Sequence, residues 1–76
     1  MPRITPIPWR RLQCVFEHDG FVFQKAIGSH WIGRKQGISR PIVIPEYQEI
    51  GLDIIRGLMR TAGMSRERYF KLLQEC

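Results

Sequence analysis

His30 is the side chain best suited to chemistry near neutral pH, because an unperturbed pKa of about 6.5 makes imidazole a proton carrier there. It follows Gly28-Ser29 directly. On a strand, His30, Ile32 and Arg34 share one face, while Trp31, Gly33 and Lys35 share the other. An acid–base group and a cation therefore stand on one side. Lys25 and Arg34 can hold a phosphate while His30 moves a proton. That pairing suits cleavage of an RNA phosphodiester, where the 2′-hydroxyl is the internal nucleophile and no metal is needed. A positioned acid or base contributes roughly 10² to 10⁴ in rate. Cationic stabilisation of the crowded phosphate adds separately. The candidate catalytic residue is His30, and the candidate RNA-binding residues are Lys25, Ser29, Arg34 and Lys35, with Gly28 shaping the turn.

The plainer readings of the same residues are structural. A single strand histidine is usually a surface or hydrogen-bonded group, and Trp31 reads as core. His18 lies near the end of a helix, where a cation is favourable. Arg56 and Arg60 read as a solvated helix face, and Arg10 and Arg11 as charges opening a surface helix.

The elements that must position His30 follow from periodicity. Pro2, Pro6 and Pro8 keep residues 1–8 extended. Trp9, Leu12, Val15 and Phe16 have helical spacing, and Gly20 ends that helix. Cys14 projects away from the apolar stripe. The spacing predicts strands over 21–27, 30–35 and 38–44, joined at Gly28-Ser29 and Gln36-Gly37. Pro41 inside the third strand points to an edge or a non-donating position. From about Ile50 the helical period returns through Ile54, Ile55, Leu58, Met59 and Ala62, and Gly63 closes it. Ser65 caps a last helix that runs to the chain end. The order is α-β-β-β-α-α, an α+β domain over 1–76 with helices on one face of a three-stranded antiparallel sheet.

Composition narrows the function classes. The chain has 76 residues, 12 Lys+Arg against 7 Asp+Glu, and a net charge of +5. So basic a small surface favours polyanions, nucleic acid first. No apolar run approaches a membrane span of about 20 residues. The opening Met1–Pro8 lacks the apolar stretch of a signal peptide, so a cytoplasmic chain is expected. Cys14 and Cys76 give no zinc spacing and read as free thiols in a reducing cytosol, with a single disulfide between them as the less favoured alternative. The histidines are not spaced as ligands, so no structural metal is expected. Without a Gly-rich phosphate loop, no nucleotide cofactor is expected either.

Three segments, in order, resemble a known family. They are Leu12–Phe21 with its Gly20-Phe21 end, then Lys25-Ala26-Ile27-Gly28-Ser29-His30, then Pro45 followed by Ile55-Arg56-Gly57-Leu58-Met59-Arg60-Thr61-Ala62-Gly63. They are similar to the HicA-like (YcfA-like) toxins of bacterial toxin–antitoxin pairs. The resemblance implies a double-stranded-RNA-binding-domain-like fold and a metal-independent endoribonuclease acting on mRNA. It also implies neutralisation by a HicB-type antitoxin. The family's essential histidine falls on His30 and its basic position on Lys25. The chain departs from the family pattern twice. Gly33 stands where a large apolar residue is usual, with Trp31 expected to fill the vacated volume, and Tyr47 stands where a second histidine is frequent. The competing function is a non-catalytic RNA-binding module, or an inactivated toxin that acts through its antitoxin.

Overall fold

Prolines and a glycine frame the first helix. A computed structural model describes residues 2–76. Pro8 adopts an extended conformation at the N-cap of α1 (Trp9–His18). Its ring costs nothing there, because the first amides of a helix lack intrahelical acceptors. At the other end Gly20, at φ +102°, turns the chain away. The Phe21 amide then donates to the Phe16 carbonyl at 3.0 Å. Leu12, Val15 and Phe16 form the buried stripe of α1.

The sheet is an antiparallel meander of β1 (Val22–Lys25), β2 (His30–Lys35) and β3 (Ile38–Pro45), in the order β1-β2-β3. β1 is shorter than its sequence pattern predicts. The Phe21 amide is already committed to closing α1, and the Ala26 amide bonds the His30 carbonyl at 2.9 Å to begin the turn. Pro41 stands where the pairing is irregular, since the register shifts between Gly33 and Lys35 and β3 is an edge strand. A residue without an N–H fits such a slot.

Alternation along β3 sorts the two faces. Ile42 and Ile44 are buried, whereas Val43 between them is 41% exposed. The helices cover the buried face, and the opposite face is open.

α2 (Leu52–Ala62) starts later than the apolar period suggests, because Ile50 is occupied elsewhere. Its amide donates to the Ile7 carbonyl at 2.7 Å in an isolated bridge. The N-terminal arm is thereby fastened to the domain, and Ile4 and Ile7 join the core. Gly63 adopts the left-handed conformation at the end of α2. Ser65 then caps α3 (Arg66–Leu73) by accepting the Arg68 amide at 3.1 Å. α3 stops short of the chain end. One core joins arm, helices and sheet, with Phe16, Ile55 and Tyr69 fully enclosed.

The cysteines correct the sequence reading. Cys14 and Cys76 are not free thiols but form a disulfide across 62 residues. α1 and α3 pack together, which returns the last residues to the exposed side of α1. Spacing along the chain carries no trace of that juxtaposition. Among the described residues no helix is long and apolar enough to cross a membrane.

Candidate functional site

His30 opens β2 on the uncovered face of the sheet and is exposed. Directly paired residues in an antiparallel sheet share a face. The pairs Val22↔Arg34, Gln24↔Ile32 and Ile32↔Val43 therefore place Arg34 and Ile32 on one surface with His30, as strand parity predicts. Four residues of strand separate His30 from Arg34, about 13 Å at about 3.3 Å per residue. At that separation Arg34 and His30 do not converge on one point.

The turn before His30 is fastened on both sides. The Ala26 amide reaches the His30 carbonyl, and the Glu46 amide reaches the Ser29 carbonyl, each at 2.9 Å. Gly28 takes φ +83°, a conformation closed to most side chains. Ser29 is exposed beside His30. Apolar groups surround this basic surface, for Ile27 at the turn is 100% exposed and Val22 is 75% exposed.

The two lysines lie elsewhere. Lys25 pairs with Trp31 and so shares the helix-side face. Its ammonium sits 3.4 Å from Glu46 Oε2 and 5.8 Å from the centre of the Trp31 ring. It does not join Arg34 in a clamp around His30. Lys35 Nζ lies 3.3 Å from Asp19 Oδ2. Asp19, buried at the end of α1, also accepts from Arg68. Both lysines are thus engaged by carboxylates on the side of the sheet away from His30.

Trp31 is half-buried and stacks on Trp9, with ring centres 5.8 Å apart and planes at 20°. Its indole N–H donates to Glu46 Oε2 at 2.7 Å. That bond, with the neighbouring Lys25 ammonium, holds the Glu46 carboxyl below its ordinary range against the opposing effect of desolvation. Trp31 does not fill the space at Gly33. A Cβ on Gly33 would meet Phe23 Cε1 at 2.5 Å, so the Phe23 ring from the paired position occupies that volume. Tyr47, two residues beyond the end of β3, is 53% exposed.

Sequence reasoning missed a second group. Cys14, His18 and Cys76 bring three potential ligand atoms within 4.8 Å of one another. His18 Nδ1 lies 2.9 Å from the Cys14 carbonyl oxygen, and both sulfurs belong to the disulfide. A helical spacing of four residues between Cys14 and His18 was the available signal.

No family model matches this chain, and no curated protein matches it.

Proposed function

We propose that the protein is a metal-independent endoribonuclease of the HicA-like toxin type, acting on mRNA with His30 as its acid–base group. The observation that carries this reading is an exposed imidazole, presented by a fastened glycine turn on an open sheet face that also bears Arg34. In the proposed step His30 accepts the proton of a 2′-hydroxyl. The freed oxygen attacks the adjacent phosphorus, and the bond to the 5′-oxygen breaks. The leaving oxygen takes up a proton from the imidazolium or water. The products are a 2′,3′-cyclic phosphate and a 5′-hydroxyl. Arg34 holds a flanking phosphate through its planar fork of donors. The exposed Val22, Ile27 and Val43 suit coverage of this face by a HicB-type antitoxin.

Incubation of the purified protein with RNA and a chelator is expected to produce new ends of that chemistry. His30→Ala is expected to abolish them while leaving the thermal midpoint near wild type, since an exposed substitution shifts stability by roughly 0.5 kcal/mol at most. Cleavage that survives the substitution removes His30 from the catalytic role. A non-catalytic RNA-binding module is the second reading. It is favoured by the capture of Lys25 by Glu46, which leaves His30 without that cation. Salt-sensitive binding without new ends selects it.

A further inference from the structure

We infer a second RNA-phosphate site, on the helix side of the molecule, in a cleft between the N-terminal arm, α2 and the start of α3. Four arginines from three separate segments converge there. Arg3, Arg56 and Arg66 line a space of about 410 Å³. An adjoining space of about 290 Å³ is lined by Arg56, Arg60 and Arg66. Ile4 borders both, and Met59 and Met64 complete an apolar floor. No carboxylate lines either space among the described residues.

That arrangement differs from the cations that the fold pairs. Lys25, Lys35 and Arg68 each face a carboxylate. In the cleft, positive charges are gathered and left to repel one another, at a cost that an anion removes. Arg66 is oriented by donating to the Pro2 carbonyl at 2.7 Å, which leaves its remaining N–H groups for a ligand. Arg56 and Arg60 lie one helical turn apart on α2 and are exposed. Guanidinium groups at such spacing match phosphate oxygens in their fork geometry. The apolar floor suits the sugar edges between phosphates. The substrate in the proposed function is mRNA, so the ligand taken for this site is a single RNA strand.

This inference rests on RNA as the ligand of the proposed function, and it adds a place. His30 lies on the opposite sheet face, so the cleft holds RNA flanking the cut rather than the scissile phosphate.

The test is binding of a labelled single-stranded RNA to His30→Ala protein across a salt series. For single strands, log affinity falls against log salt with a slope of about 0.7 per phosphate contact. Arg56→Gln/Arg60→Gln is expected to flatten that slope by about 1.4, so that raising salt from about 50 to about 200 mM costs the variant about sevenfold less affinity than its parent. Arg10→Gln/Lys71→Gln removes equal charge outside the cleft and is expected to keep the parental slope. Equal flattening by both pairs, no flattening by the first, or no measurable RNA binding overturns the site. The cleavage reading is scored separately with the wild-type protein. Missing RNA ends sink catalysis and leave the salt slopes standing.

Discussion

Glu46 shows how one carboxylate organises the residues behind the candidate site. Its side chain accepts from the Trp31 indole and faces Lys25, while its amide fastens the turn that presents His30. The bond from Trp31 and the Lys25 charge depress its folded-state pKa. A depressed carboxyl contributes stability above the unfolded pKa and loses it as pH falls through the lower, folded value. The wild-type protein is therefore expected to lose resistance to urea as pH drops through and below the ordinary carboxylate range. Glu46→Gln is expected to flatten that acid limb, as read from urea midpoints at a series of pH values. An unchanged limb in the variant removes Glu46 from the pH dependence. Parity along one strand was enough to place His30, Ile32 and Arg34 together. Lys25 was not legible in the same way, because its face depends on cross-strand register and on the length of the turn between β1 and β2. Asp19 was missed for a different reason. Its charge marks it as a surface residue, and its burial follows from Lys35 and Arg68 arriving from distant segments.

The strands and helices were largely legible because their punctuation is local. Gly20, Gly28, Gly37 and Gly63 all take positive φ where the sequence places a turn or a helix end. Boundaries moved where a backbone group was already taken, by the end of α1 at Phe21 and by the distant arm at Ile50. Gly33 is the clearest case of a contact the sequence hides. Its missing side chain is replaced by the Phe23 ring across the β1–β2 pair. Gly33→Ala forces that ring to shift and is expected to cost about 1–3 kcal/mol, the usual range for overpacking. Chemical denaturation measures it. Adding Phe23→Leu is expected to return part of the loss, because contacting residues are not additive. Strict additivity would mean that the ring is not what fills the space.

For the molecule as a whole, the arm and the disulfide make the largest additions to what composition suggests. The prolines predict an extended arm but carry no sign that Ile4 and Ile7 between them join the core. The disulfide bridges 62 residues, and in the chain-entropy model a loop of that size is worth about 4 kcal/mol. For a domain of this size that corresponds to about 20 °C in melting temperature. Thermal melts with and without a dithiol are expected to differ by a large part of that amount. Coincident melts would show that the bond contributes nothing. In a reducing compartment the thiols would be held reduced, and the lower midpoint would govern there.

Closing Cys14 onto Cys76 also makes everything between them a covalent ring. A protease that nicks an exposed turn inside that ring releases no fragment, since the pieces stay tied through sulfur. Degradation of the oxidised chain therefore needs a second cut or a reductant, whereas a single nick is enough to divide the reduced one.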